Sequence, residues 1–226
     1  FRCSTILTMA GLLPCRYQPD PVQVSRPQSK HMPTSLLARL SIAASATAML
    51  ALLALHALRA DLSPATHMIS EYAVGAHGWV MTLCFNAFAL ASLALLGALA
   101  TRVRGVTGWL GLACLLVTAA GLAIGGAFPM DPTTNDPALM SRSGQLHGVG
   151  FMLGVPGELL AVLLLTLHLR SEPAGKARPL AVLAGAVWLS VVVMVPLLMN
   201  NGAFGIPNRT FMLSYGAWMT VVALGL

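Results

Sequence analysis

The 226-residue chain is 57% hydrophobic and only 9% charged. Soluble globular domains carry about 25% charged residues, so this composition excludes an ordinary soluble enzyme, and it also excludes a disordered, collagen-like or disulfide-stapled secreted protein. The formal charge of +6 does not indicate nucleic-acid binding, because the basic residues stand between apolar runs, where they orient a membrane protein. At about 20 apolar residues per span, the chain can hold six or seven membrane helices.

The two ends of the chain differ from its middle. Residues 1–31 are polar, rich in Pro, Gln and Arg, and not periodic, so we interpret them as a disordered segment or a non-native remnant ahead of a natural start at Met32. A signal peptide around residues 6–15 is the alternative, although only Arg2 precedes it and no small-residue cleavage pattern follows. Leu226 lies inside an apolar run, which favours a truncated last helix and leaves room for a seventh span in the intact protein.

Apolar runs separated by polar loops predict an all-α, polytopic integral membrane helix bundle over residues 32–226. The six predicted spans are 35–58, 77–100, 107–128, 147–169, 179–199 and 210–226. Trp79, Trp109 and Tyr215 lie near span ends, as interfacial aromatic residues do. Two glycine pairs have the small-xxx-small spacing that is typical of close helix packing: Gly121/Gly125 and Gly150/Gly154.

Basic residues are concentrated in two of the five loops. Loops 101–106 and 170–178 hold Arg102, Arg104, Arg170, Lys176 and Arg178, whereas each of the other three loops holds one Arg. By the positive-inside rule, the N-terminus is predicted to be cytoplasmic, and we expect the protein to lie in the plasma membrane. Loops 59–76, 129–146 and 200–209 then face outward.

Polar residues gather in these outer loops and next to them. The candidates for catalysis are Ser70, His67, Asp131 and His147, which could form a hydrolytic site. The candidates for ligand binding are Glu71, Tyr72, Asp131, His147, Glu158 and Arg209. Because no HExxH, CxxC or GxSxG motif is present, no metal site and no cofactor are predicted, although His56, His77 and His147 keep haem ligation open. Structural alternatives also stand: Ser70 as the cap of the second helix, Asp131 as the end of the third, and helix starts at Ser63-Pro64 and Asp136-Pro137.

Glu158 is the most informative single residue, because it lies near the middle of the fourth span. A charged side chain there costs on the order of 2.5–3.5 kcal/mol on insertion scales. Helical spacing places His147, Phe151, Val155 and Glu158 on one face, which runs about 16 Å from the outer mouth into the membrane. Glu158 is therefore either a proton, ion or headgroup site, or a structural carboxyl that is hydrogen-bonded to Asn86 of the second span.

Several segments together resemble the bacterial and archaeal domain-of-unknown-function 998 family. These segments are ISEYAVGAHGWVMTLCFN (69–86), GGAFPMDP (125–132), LHGVG (146–150) and GIPNRTF (205–211). The resemblance covers roughly residues 36–226 and implies a multi-pass bundle without an established activity. It also implies that the outer polar cluster is a family feature, although Asn208 stands where an acidic residue is common in the family, which puts an ion pair at Arg209 in doubt.

The sequence is consistent with three functions. The first is a membrane protein whose outward polar cluster binds a lipid headgroup or a small ligand. The second is a membrane-embedded lipid hydrolase, and the third is a proton-coupled carrier in which Glu158 titrates. Membrane lipids are the expected partners in each case, with a homo-oligomer as a further expectation.

Overall fold

The computed structural model describes residues 32–131, 138–170 and 177–226. Residues Met32–Leu226 form a compact unit, and the described part of it is all-α, without strands. The elements are α1 (Thr34–Leu58), a short 3₁₀ helix η1 (Ile69–Ala73), α2 (Gly78–Ala100), α3 (Gly105–Ala127), α4 (Arg142–Leu169), α5 (Ala177–Met199) and α6 (Gly205–Ala223). We call the end of the bundle that carries η1 the η1 end. The predicted N-terminal segment 1–31 and the predicted helix start at Asp136-Pro137 lie outside the described residues.

Of the six α-helices in the described part of the chain, five, α1 to α5, are long and apolar enough to cross a membrane, and the protein is a multi-pass membrane protein. The sixth helix, α6, carries Asn208 and Arg209 in its first turns, which lower its hydropathy. Both side chains are buried, at 8% exposure each. The most polar helix of the bundle is therefore also packed inside it, because protein contacts can satisfy polar groups that lipid cannot.

Aromatic and hydroxyl side chains fix α6 to its neighbours. The Tyr215 hydroxyl lies 2.7 Å from Ser92 Oγ of α2, and Trp218 Nε1 donates to Thr166 Oγ1 of α4 at 2.9 Å. Tyr215 is fully buried, so its predicted interfacial position is wrong. Trp79 and Trp109 are more than half exposed near the starts of α2 and α3, as expected of interfacial residues.

Glycines bring α3 and α4 into backbone contact. A Cβ on Gly150 would lie 2.8 Å from the Gly121 carbonyl oxygen and 2.9 Å from Gly125 N. A Cβ on Gly121 would overlap the Gly154 backbone. The close packing predicted from the two glycine pairs is confirmed, since only a residue without a Cβ fits at this contact.

Two helices begin five residues earlier than predicted. In α4, Ser141 supplies the N-cap by accepting a hydrogen bond from Gly144 N at 3.1 Å, which extends the helix beyond its apolar run. In α6, Asn208 and Arg209, which precede the predicted span 210–226, lie inside the helix. Apolar periodicity marks where a helix meets lipid, whereas caps and buried polar contacts decide where it starts.

The outer loop 59–76 does not form the helix that Ser63-Pro64 predicts. The Ser63 carbonyl accepts from the backbone N of Thr66 and of His67, and Ser63 Oγ accepts from Ala65 N at 3.4 Å, so one turn forms before η1. Gly205 N donates to the Ala65 carbonyl at 2.8 Å, which holds this turn against the start of α6. Ser70 lies in η1, eight residues before α2, so its predicted alternative role as the cap of α2 is wrong.

Candidate functional site

A cavity of about 80 Å³ lies at the η1 end, between η1 and helices α2, α3, α4 and α6. Its polar lining residues are Ser70 of η1, His147 and Glu158 of α4, and Asn208 of α6. The rest of the wall is apolar and includes Met68, Phe85, Phe151, Phe211, Met212 and the glycines of the α3–α4 contact. A buried water needs roughly 10–15 Å³, so this cavity has room for several waters or for a small organic group.

One face of α4 forms the long wall of this cavity. His147, Phe151, Val155 and Glu158 all line it, which confirms that the four residues share a helical face. Eleven residues at 1.5 Å each separate the histidine from the carboxyl by about 16 Å. Pro156 lies inside α4 and cannot donate a backbone hydrogen bond, which weakens the helix next to Glu158.

Glu158 is 1% exposed, and its Oε1 has no hydrogen-bond partner. The structural alternative, a hydrogen bond to Asn86, is wrong, because the exposed Asn86 amide donates to the Thr82 carbonyl of its own helix at 2.8 Å. Between described residues the one salt bridge joins Arg59 to Asp61, so no described cation of the chain compensates Glu158. One acceptor of this buried carboxyl, Oε1, is therefore unsatisfied, whereas buried polar atoms in proteins usually have a partner.

His147 stands nearer the mouth of the cavity. Its Nδ1 lies 2.9 Å from the Phe128 carbonyl oxygen, which can only accept, so Nδ1 carries the proton. In the neutral ring Nε2 is then an acceptor. The imidazole also meets the Phe85 ring edge to face, with centroids 6.2 Å apart. His147 is thus held in one orientation and presents a polar edge to the apolar cavity.

Arg209 is the centre of a second polar cluster, beside the cavity. Its Nε donates to His56 Nε2 at 2.8 Å, its Nη1 donates to the carbonyls of His67 and Gly205 at 2.7 and 3.0 Å, and its Nη2 donates to the Tyr72 hydroxyl at 2.9 Å. Its guanidinium also lies over the Tyr72 ring, 5.3 Å from the centroid. We call these five residues the Arg209 lock, since they tie α1, the η1 segment and α6 together.

His56 fits this lock only as a neutral ring. Its Nδ1 lies 2.7 Å from the Leu52 carbonyl, so Nδ1 is the donor and Nε2 accepts from Arg209. His56 thus belongs to the lock, His147 lines the cavity, and His77 is exposed ahead of α2. The three histidines considered as haem ligands therefore do not lie together at one site.

Two of the acidic candidate residues, Glu71 and Asp131, accept hydrogen bonds at the starts of helices. Glu71 Oε1 accepts a hydrogen bond from Met68 N at 2.6 Å and so closes the start of η1. Asp131 accepts from the backbone N and the hydroxyl of Ser141, both at 2.7 Å, next to the N-terminus of α4. These bonds satisfy helix-start donors that would otherwise lack partners.

A second arginine, Arg59, holds the outer loop through an ion pair with Asp61. Arg59 donates to both carboxylate oxygens of Asp61 at 2.8–3.2 Å and, through Nη1, to the Val74 carbonyl at 2.5 Å. The hydrogen bond from Arg59 holds the pKa of Asp61 below its usual range. A lowered folded-state pKa stabilises the fold above the unfolded pKa, and this contribution disappears as the pH falls through the folded pKa.

We therefore expect Asp61→Asn to loosen the loop at neutral pH but not in acid. The readout is amide hydrogen exchange over residues 59–76, with variant and wild type compared at the same pH. Exchange should be faster in the variant at pH 7, and the difference should vanish once Asp61 is protonated in the wild type. An equal difference at both pH values would contradict an electrostatic role.

The candidates therefore divide into three groups. Ser70, His147 and Glu158 converge on the cavity, Tyr72 and Arg209 form the lock with the His67 carbonyl, and Glu71 and Asp131 cap helices. No hydrogen bond joins Ser70, His147 and Asp131 within the described residues, and no group of three or more potential metal ligands occurs there. The hydrolase hypothesis thus gains no support from this arrangement.

Sequence reasoning missed Asn208 and the role of His56. Asn208 lines the cavity, and its Oδ1 accepts from Ile69 N at 2.9 Å, which also holds η1 in place. Its signal in the sequence is an amide next to Arg209 in an otherwise apolar stretch. His56 sits in the last turn of α1, but its bond to a residue 153 positions away leaves no local pattern.

Comparison with known proteins gives one result. A family model described as "Protein of unknown function (DUF998)" matches residues 42–225, which confirms the resemblance seen in the motifs. No curated protein and no solved structure matches the chain. The matched region contains every residue of the cavity wall and of the Arg209 lock.

Proposed function

The chain belongs to the DUF998 family of proteins of unknown function, and we propose that it binds a small ligand or a lipid headgroup in the cavity at the η1 end. The observation that carries this proposal is the unpartnered Oε1 of Glu158, which is buried in the wall of that cavity. Removing a carboxyl from water without a partner is costly, so a lone carboxyl is a poor structural element. A ligand that donates to Oε1 offsets this cost.

The walls suit a ligand with a small polar end and an apolar body. Ligand sites are mostly apolar, with a few placed polar groups that fix orientation, and here Ser70, His147, Glu158 and Asn208 are those groups. The α4 face leads from His147 down to Glu158, so the ligand enters from the η1 end. The Arg209 lock and Asn208 hold η1 across this entrance.

We propose that all six helices cross a plasma membrane, with the η1 end outside and the N-terminus in the cytoplasm. The exposed arginines at the opposite end are Arg39, Arg102, Arg104, Arg170 and Arg178. At the η1 end, Arg59 is paired with Asp61, Arg209 is buried and Arg142 is exposed. Exposed arginines are therefore more numerous at the opposite end, which the positive-inside rule places in the cytoplasm.

A proton-coupled carrier is the second candidate, and Pro156 is the observation that favours it. A proline beside a buried carboxyl marks a point where α4 can bend, and intramembrane carboxyls are typical of proton pathways. In proteoliposomes, Glu158→Gln would then abolish pH-dependent uptake without unfolding the protein. Uptake that is unchanged in this variant would exclude the carrier.

The binding proposal is tested by native mass spectrometry of the detergent-purified full chain. We expect the wild type to carry a small adduct that Glu158→Gln loses. Ser190→Ala is the matched control, because Ser190 is also a buried polar residue, but it bonds to Ala186 of its own helix α5 and does not line the cavity. A bare wild-type mass, or an adduct that Glu158→Gln retains, would count against the cavity as a binding site.

Glu158→Leu should separate function from stability. Replacing buried charged groups with apolar ones of similar volume is often neutral or stabilising, so we expect an unchanged or higher Tm together with loss of the adduct. A large fall in Tm would show instead that Glu158 has a structural role.

A further inference from the structure

We propose that the cavity is selective for a primary ammonium group, carried by a small alkylamine or by an aminophospholipid headgroup. This inference rests on the proposed function and names the chemistry of its ligand. Three independent features of the cavity carry it: the open acceptor on Glu158, the absence of a described counter-cation, and the aromatic wall.

The first feature is the acceptor. Glu158 Oε1 is buried and unpartnered, and an ionised carboxylate only accepts hydrogen bonds, so a ligand satisfies it by supplying a donor. A primary ammonium supplies three donors, whereas a quaternary ammonium supplies none. Hydrogen bonds between ionised partners are also roughly twice as strong as neutral ones. The acceptor therefore favours a donor with a positive charge.

The second feature is charge. Between described residues no salt bridge reaches Glu158, since the single one joins Arg59 to Asp61. Arg209 lies one residue after the cavity-lining Asn208, but its hydrogen bonds run to the lock and not to Glu158. Glu158 thus has no cationic partner among the described residues, and a bound cation supplies one.

The third feature is the wall. Phe85, Phe151 and Phe211 line the cavity together with Met68 and Met212. Phe85 and Phe211 are 8% and 2% exposed, so their rings lie in a largely water-free environment. Aromatic faces attract ammonium cations, and more strongly when the site is desolvated. The same walls accommodate the apolar chain of an alkylamine.

The inference is tested by the ligand-induced rise in Tm of the detergent-purified full chain, measured with three probes at constant ionic strength. The probes are n-butylammonium chloride, n-butanol and tetramethylammonium chloride, with sodium chloride as the blank. We expect n-butylammonium to bind about tenfold or more tightly than either other probe. Glu158→Gln should lose this preference while still binding n-butanol, which also shows that the variant is folded, and Ser190→Ala should behave as the wild type.

Each other outcome has a definite meaning. If n-butanol binds and n-butylammonium does not, the ammonium inference is overturned and the binding cavity stands. If tetramethylammonium matches n-butylammonium, the requirement for a donor is overturned. If no probe binds, both the inference and the proposed function are overturned.

The two sources of the ammonium are separated in native mass spectra of protein in mixed lipid. Retention of phosphatidylethanolamine over phosphatidylcholine, lost in Glu158→Gln, assigns the group to a lipid headgroup. Binding of n-butylammonium without that lipid preference assigns it to a free amine. A lipid preference that is unchanged in Glu158→Gln would contradict a role for the carboxyl in recognising the headgroup.

Discussion

Replacing Arg209 with Met is expected to lower the free energy of unfolding by about 3 kcal/mol, since each buried polar group left without a partner costs roughly 1–3 kcal/mol. The substitution removes the donors to His56 Nε2, to the Tyr72 hydroxyl and to two carbonyls. Some of these groups lie close enough to the η1 end to recruit water, which keeps the loss below the sum of the single costs. The measurement is equilibrium unfolding in detergent.

The controls separate the geometry of the guanidinium from its charge. Arg209→Lys keeps the positive charge, but one ammonium cannot reach the partners that a planar fork contacts in three directions, so it should recover only a part of the loss. Arg142→Met removes an exposed arginine at the start of α4 and should change stability by less than about 0.5 kcal/mol. Equal stability of Arg209→Met and Arg142→Met would show that the lock does not hold the fold together.

The lock also predicts where the damage appears. Because it joins the last turn of α1, the η1 segment and the start of α6, its loss should release η1 from the mouth of the cavity first. Amide exchange should therefore rise over residues 59–77 before it rises in α2 or α3. Asn208 keeps its own bond to Ile69 N, so η1 remains attached at one point.

Apolar runs were sufficient to predict the helices, because a span buried in lipid must be apolar over its length. They failed at the starts of α4 and α6, where polar contacts extend the helix: Ser141 caps α4, and α6 is polar because it packs inside the bundle. The α4 face from His147 to Glu158 could be predicted, since residues on one helix keep a fixed geometry.

Contacts between distant segments could not be predicted in the same way. The sequence predicts Asn86 as a partner for Glu158, because it is the amide inside the second span. In the structure the Asn86 amide donates to the Thr82 carbonyl of its own helix instead. His56 and Arg209 meet only because α1 and α6 are neighbours, which no single-sequence pattern encodes. The convergence of Ser70, His147 and Glu158 likewise depends on helix order in space.

Alanine at Gly121 or Gly150 is expected to push α3 and α4 apart and to cost about 2 kcal/mol, within the range for overpacked sites. At both positions every atom that would lie within 3.0 Å of the Cβ belongs to backbone, which cannot rotate aside as a side chain can. Gly148→Ala is the matched control on the same helix α4, because no atom lies within 4 Å of a Cβ there. That variant should be stabilised by roughly 0.5–1 kcal/mol, since Ala is a better helix former than Gly.

The same glycines line the cavity, so this substitution also tests how stability and binding are connected. If α3 and α4 separate, the wall opposite Phe85 and Phe211 moves and n-butylammonium should bind more weakly, although Glu158 itself is unchanged. Gly148→Ala should leave the probe's affinity at the wild-type value. A Gly150→Ala protein as stable as Gly148→Ala would contradict the backbone contact between the two helices. The pair of glycine variants, two residues apart on one helix, therefore isolates the contribution of that contact from the contribution of helix propensity.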